Sequence, residues 1–128
     1  MSLKKSKNSS PRIKVIQKLY NSLMNPNSEI DYPKSQYKKF IKDVVTGTLE
    51  RSDLIEEKIN TFLTKDIDLT KTDKLLKIIL FAAIFELMFK HGTPKKVIIN
   101  EYLLASEHFL EKIQTGYLNA ILDKIAKV

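Results

Sequence analysis

The length, cysteine content and hydropathy of this chain exclude several classes of protein. Its 128 residues have the size of one domain, and the absence of cysteine excludes a disulfide framework and a thiolate metal site. No apolar stretch has the form of a signal peptide or a transmembrane helix, so we expect a cytoplasmic protein that is not inserted in a membrane.

The positive charge is concentrated at one end of the chain. The net charge is +7, and no acidic residue precedes Glu29. From Glu29 onward the acids and the bases nearly cancel. This asymmetry predicts a polyanionic partner, either nucleic acid or an anionic membrane surface. A solvated leader that only aids solubility is an equally good interpretation of a short basic tail. The bases before Glu29 are Lys4, Lys5, Lys7, Arg12, Lys14 and Lys18.

The sequence predicts a disordered basic arm at residues 1–10, followed by a single domain at residues 11–128. Ser10 is a suitable N-cap and Pro11 a suitable first helical residue, so a helix is predicted at about 11–24. Arg12 lies in its first turn, from which we expect its side chain to reach beyond the helix end.

Two further amphipathic helices are predicted at about 35–51 and 53–63 from the spacing of their apolar residues. Gly47 falls inside the first of them, where a glycine costs about 1 kcal/mol relative to alanine. Close packing against a neighbouring helix would compensate for this cost.

The apolar run at residues 78–89 predicts a central buried helix, extending over about 71–90. Apolar residues lie on every side of the run, yet it is shorter than the roughly 20 residues that span a bilayer. Thr70 and Asp73 form a capping-box signal at its start. Glu86 is the one ionisable residue inside the run, so it must be paired, hydrogen-bonded or protonated.

Two more helices are predicted after the central one, at about 94–110 and 115–126. Thr93 is the expected N-cap of the first, with Pro94 at its first position. No strand-like alternation occurs. The sequence therefore predicts an all-α bundle of six or seven helices, in which the first three and the last three form two packed subdomains.

The motifs of catalysis are missing from this sequence. His91 and His108 have no metal-ligand spacing, and no phosphate-binding glycine loop or nucleophile elbow occurs. We therefore expect no enzyme activity, no metal and no cofactor.

Nucleic-acid binding is better supported, because the basic arm can supply phosphate contacts. Tyr20 lies on the same first helix and could stack on a base, although core packing is its default interpretation. Lys95 and Lys96 lie in the first turn of a helix, which makes a possible phosphate site, although exposed lysines often serve solubility alone. Asn100 and Glu101 are expected to be structural polar residues that make hydrogen bonds between helices.

Several segments, in chain order, resemble the NusB family of transcription antitermination factors. The family pattern includes an aromatic-Glu-Leu element, a P-x-K-V-x-I-N-E element and an aromatic-V-N-[GA]-[VI]-L-D element. The matching segments here are FEL at 85–87, TPKKVIINEY at 93–102 and GYLNAILDK at 116–124, with further similarity at Arg12, at 17–20 and at 40–47.

This resemblance implies an all-helical fold of two three-helix subdomains and a function without catalysis. The implied ligand is the single-stranded boxA element of ribosomal RNA leader transcripts. The implied partners are the ribosomal protein NusE and the transcription elongation complex with RNA polymerase. The family's RNA site maps to the basic end of the first helix, at Arg12 with Lys14 nearby. Glu86 and Asn119, within the matching elements, are expected to be structural polar residues.

A second interpretation has a different class of function. The same helical fold occurs as an accessory domain fused to rRNA cytosine methyltransferases, where it acts as a protein-interaction or RNA-binding module. We expect no catalytic domain beside the helical one, which argues against the fused form.

Overall fold

Six helices form the regular structure of residues 10–62 and 73–127, which are the residues that the computed structural model of the chain describes. The all-α prediction is confirmed. Most of the predicted basic arm, residues 1–9, lies outside the described residues, as does Thr70. The helices are α1 (Pro11–Met24), α2 (Lys38–Glu50), α3 (Ser52–Phe62), α4 (Lys74–Phe89), α5 (Lys95–Ser106) and α6 (Lys112–Ala126).

Helix α4 is the centre of the domain and packs against each of the other five helices. It contains the predicted apolar run, in which the side chains at 79, 80 and 82–84 are fully buried and that of Phe81 is half-buried. This burial is what a helix with apolar residues on every side requires. None of the helices in the described part of the chain is long and apolar enough to cross a membrane.

The two halves of the chain are arranged around α4. Helix α1 packs on α2, which in turn packs on α3, while α5 packs on α6. The prediction of two three-helix subdomains is confirmed. Helix α1 also reaches α5 directly, so the first helix contacts both subdomains.

Two helix starts differ from the prediction because of local capping. Asp73 is itself the N-cap of α4, and its carboxylate accepts hydrogen bonds from the backbone N–H of Leu75 at 3.0 Å and of Leu76 at 3.2 Å. Helix α6 begins three residues earlier than predicted, because Glu111 and Gln114 form a reciprocal capping box.

The observed bounds of α5 and the observed start of α2 also differ from the predicted ones. Pro94 is the N-cap of α5 rather than its first helical residue, with Thr93 outside the helix, and α5 ends at Ser106 instead of 110. Helix α2 starts at Lys38, and the hydroxyl of Ser35 accepts a hydrogen bond from the N–H of Tyr37 just before it.

Gly47 provides the closest approach between α2 and α4, as the sequence predicted. A Cβ atom at this position would overlap the ring of Phe85.

We expect Gly47→Ala to lower the free energy of unfolding by about 1–3 kcal/mol, because overpacking outweighs the gain in helix propensity. Gly116→Ala is the control: it lies in α6 with open space around it, and should raise stability by about 0.5–1 kcal/mol. Urea unfolding measures both, and equal effects would contradict the packing argument.

Candidate nucleic-acid interface

Helix α1 has one buried face and one basic face. Ile13, Ile16 and Leu19 are in the core, with 4% exposure or less. Lys14 is exposed and Lys18 is half-buried on the other side. The helix therefore presents lysines to solvent while its apolar stripe holds it on α2 and α4.

Arg12 belongs to the buried face, and the expectation that it reaches beyond the helix end is wrong. Its Nη2 donates to Oε1 of Glu86 at 2.7 Å, and its Nε donates to Oε2 at 3.1 Å. Arg12 is 8% exposed and Glu86 is fully buried. This two-pronged pairing neutralises the carboxylate of Glu86 inside the apolar central helix, and it joins α1 to α4.

Three aromatic and acidic neighbours complete the surroundings of this pair. The hydroxyl of Tyr102 on α5 donates to Oε2 of Glu86. The guanidinium carbon of Arg12 lies 4.9 Å from the ring centre of Phe40 and 5.6 Å from that of Tyr102. Glu101 is the outermost member, with its Oε1 3.7 Å from Nη1 of Arg12. The cluster therefore connects α1, α2, α4 and α5.

The electrostatics of the cluster raise the pKa values of Arg12 and Tyr102. Burial by itself would lower the pKa of Arg12, but the hydrogen bond and the charge of Glu86 outweigh burial, so the pKa lies above its ordinary value. Burial, followed by the charge of Glu86, raises the pKa of Tyr102 well above its ordinary value of 10. Tyr102 therefore remains a neutral donor to the carboxylate.

The raised pKa of Tyr102 predicts a loss of stability in alkaline solution. Above pH 10 the unfolded tyrosine releases its proton, whereas the folded one keeps it, so ionisation favours the unfolded state. The free energy of unfolding of the wild type should fall more steeply than that of Tyr102→Phe, by about 1.4 kcal/mol per pH unit. Urea unfolding between pH 9 and pH 11 measures this difference. Identical slopes for the two proteins would contradict it.

A cleft of about 640 Å³ lies beside the basic face of α1, where the loop between α1 and α2 approaches it. It brings together Lys14, Lys18 and Tyr20, three of the residues that the sequence suggested for RNA. Three further segments of the chain complete the cleft. The remaining residues that line it are Gln17, Asn21, Tyr32, Pro33, Ser35, Lys38, Ile41, Leu75 and Phe109.

The other basic candidates lie elsewhere. Lys95 and Lys96 are exposed at the start of α5 and do not line the cleft. The Nζ atom of Lys95 lies 3.4 Å from the backbone oxygen of Ala126, at the end of α6. The predicted contacts of Lys4, Lys5 and Lys7 fall outside the described residues.

The residues expected to be structural polar groups behave differently from one another. Glu86 is fully buried with donors on two other helices, and Glu101 is half-buried near Arg12. Asn100 and Asn119 instead have exposed side chains, so the expected buried hydrogen bonds between helices are not found at these positions. Among residues 10–62 and 73–127, no group of histidine and acidic side chains is arranged to hold a metal ion.

Comparison with known sequences identifies the family. The NusB family profile matches residues 3–127, almost the whole chain. The chain belongs to the NusB family. The members of this family are transcription antitermination factors, and curated NusB proteins resemble this chain over most of its length. The transcription antitermination protein NusB of Rickettsia typhi is 32% identical over 146 residues, covering 95% of this chain and 92% of its own length.

Other NusB proteins give the same result with different coverage. That of Rickettsia massiliae is 34% identical over 121 residues, covering 88% of this chain and 75% of its own length. That of Rhodopseudomonas palustris (strain TIE-1) is 32% identical over 88 residues, which is 51% of its length. A solved structure of T. maritima NusB superimposes with a TM-score of 0.79 at 22% identity, covering 91% of this chain and 88% of that one. That similarity establishes the NusB fold.

Proposed function

We propose that this NusB-family chain binds the single-stranded boxA element of nascent ribosomal RNA leader transcripts, together with the ribosomal protein NusE. In this role it would support transcription of ribosomal RNA as part of the elongation complex with RNA polymerase. The observation that carries the proposal is the match of the family profile to residues 3–127. The chemistry of the described residues is compatible with it.

The charge distribution favours RNA as the ligand. The first 28 residues contain bases and no acids, and the part of them that the structure describes carries Lys14 and Lys18 on the outer face of α1. Single-stranded RNA is recognised by phosphate contacts combined with stacking on aromatic side chains. Tyr20 lies beside these lysines in the cleft and provides an aromatic surface.

Arg12 contributes to this function by positioning α1. Its Nε and Nη2 atoms donate to Glu86, and its guanidinium lies near the rings of Phe40 and Tyr102. Its bond to α4 fixes the end of α1 that follows the basic arm, and thereby orients Lys14, two residues further along the helix, and Lys18, six residues further. In this proposal the lysines of the arm and of α1 contact phosphate.

Binding of a boxA-like RNA, measured with and without NusE, tests the proposal. Fluorescence anisotropy should show that the chain with NusE binds the boxA-like strand more tightly than a scrambled strand of the same composition, and that NusE strengthens the chain's own binding. Equal affinity for the two strands in the presence of NusE would refute the proposed function. Competition with unlabelled scrambled RNA at several salt concentrations separates nonspecific phosphate binding from specific recognition.

A further inference from the structure

The cleft beside α1 contains features that recognition of phosphate alone does not require. Its inner surface is apolar, with Ile41 buried at the core and Leu75 half-buried. Tyr20, Tyr32 and Phe109 line it as well, and each is partly exposed. A cleft of this volume, lined by apolar and aromatic groups with a few polar groups among them, has the ordinary form of a small-ligand site.

All the charged side chains that line the cleft are positive. Lys14 and Lys18 come from α1, and Lys38 comes from the start of α2 on the other side. No aspartate or glutamate is among the described residues that line the cleft. An anionic ligand is therefore favoured from both walls, while the amide side chains of Gln17 and Asn21 can donate and accept hydrogen bonds.

The loop that forms one wall is held against the domain by two partly buried side chains. Ile30 and Tyr32 pack against the hydrophobic core, and burial raises the pKa of Tyr32. The loop thus has a fixed point on the domain next to Pro33. Such an attachment gives the aromatic wall a defined position before any ligand binds.

We propose that this cleft holds an unstacked nucleotide of the bound RNA, with its base among Tyr20, Tyr32 and Phe109 and its phosphates between Lys38 and the lysines of α1. This inference rests on the proposed function, and it adds the α1–α2 loop, Lys38 and Phe109 to the RNA-binding surface. An RNA nucleotide fits because it combines a flat aromatic group with a negative charge. Base stacking on aromatic side chains does not require a particular base, so the amides of Gln17 and Asn21 are the groups that could favour one base edge over another.

A matched pair of charge reversals on adjacent residues tests the proposal. Lys38→Glu changes a lysine of the cleft, and Lys39→Glu changes an exposed lysine that does not line it. The two variants have the same net charge, so their difference reports the local contact. In anisotropy measurements with NusE and the boxA-like strand, Lys38→Glu should weaken binding on the order of tenfold relative to Lys39→Glu. The slope of log K against log salt should also become smaller by about 0.7 for Lys38→Glu.

A cross-linking experiment locates the base independently. BoxA-like RNA carrying 4-thiouridine at single positions should cross-link to peptides that contain Tyr32 or Phe109, with yields reduced in Lys38→Glu.

If both charge reversals weaken binding equally and no cross-link reaches these peptides, the cleft proposal is overturned. In that case, specific boxA binding by the wild type would leave the proposed function intact. If Lys38→Glu reduces NusE binding and leaves binding of RNA by the chain alone unchanged, a protein occupies the cleft and the proposal is also overturned. A wild type that does not distinguish boxA from the scrambled strand refutes the proposed function instead.

Discussion

Replacing Glu86 by leucine should lower the free energy of unfolding by about 3–5 kcal/mol, because it leaves a buried charge without its partner. Arg12 is 8% exposed and would lose both of its short hydrogen bonds, and the hydroxyl of Tyr102 would lose its acceptor. Urea unfolding monitored by circular dichroism measures the loss. Binding of RNA per folded molecule should change less than stability, because Glu86 has no exposed surface and affects RNA only through the position of α1.

The double variant Arg12→Met with Glu86→Leu separates the cost of an unpaired charge from the value of the pair. An apolar pair of similar volume often replaces a buried ion pair with little loss. The double variant should therefore be more stable than Glu86→Leu alone, although the Tyr102 hydroxyl still has no acceptor. If the losses of the two single variants simply add in the double variant, Arg12 and Glu86 stabilise the fold independently, and the prediction fails.

The second large effect is expected from the basic arm. Replacing Lys4, Lys5 and Lys7 by alanine should weaken binding to the boxA-like strand on the order of tenfold to a hundredfold near 0.1 M salt. The salt slope should become smaller by up to about 2, since each phosphate contact to a single strand contributes about 0.7. Stability should be unchanged, because the arm precedes α1, which is the first helix that the structure describes. Anisotropy titrations at four salt concentrations provide the measurement.

A control with the same net charge is available on the folded domain. Lys39, Lys42 and Lys124 are exposed, and none of them lines the cleft beside α1. Their joint replacement by alanine should affect the affinity and the salt slope much less than loss of the arm lysines. Equal effects of the two triple variants would show that net charge, rather than the arm, determines affinity.

The sequence predicted the architecture well because the patterns that specify it are local. The apolar run at 78–89 indicated a buried central helix, and the glycine at position 47 indicated a close helix contact; both are confirmed. The helix ends were less accurate where capping used a residue type other than the usual serine or threonine. Glu111 with Gln114 is such a case, and so is Pro94 as an N-cap.

The partner of Glu86 could have been found from the sequence, although Arg12 was assigned to the RNA site, with a side chain that reaches beyond the helix end. Arg12 precedes Ile16 by four positions and Leu19 by seven, so it lies on the same buried stripe of α1. A lone carboxylate in an apolar helix requires a cation or donors, and the forked guanidinium suits a buried carboxylate better than lysine does. The helical spacing of Arg12 therefore indicates a buried side chain, even within a basic N-terminal segment.

The cleft, in contrast, could not be predicted. Its walls combine α1, the loop before α2, the start of α4 and the segment after α5. Phe109 is far from the other lining residues in the chain. The loop that contains Tyr32 and leads to Lys38 has no periodicity, and none of the three residues belongs to a recognisable motif. Only packing of α1 against both subdomains brings these residues together.

The position of α4 against all five other helices has a consequence for native-state hydrogen exchange. Neither half of the chain can open without exposing one side of this helix, so the domain should behave as one cooperative unit instead of two separate foldons. The amides in the middle of α4 should therefore exchange only through global opening, with protection that matches the free energy of unfolding. Amides near the exposed ends of α1 and α6 should exchange earlier, through local fraying.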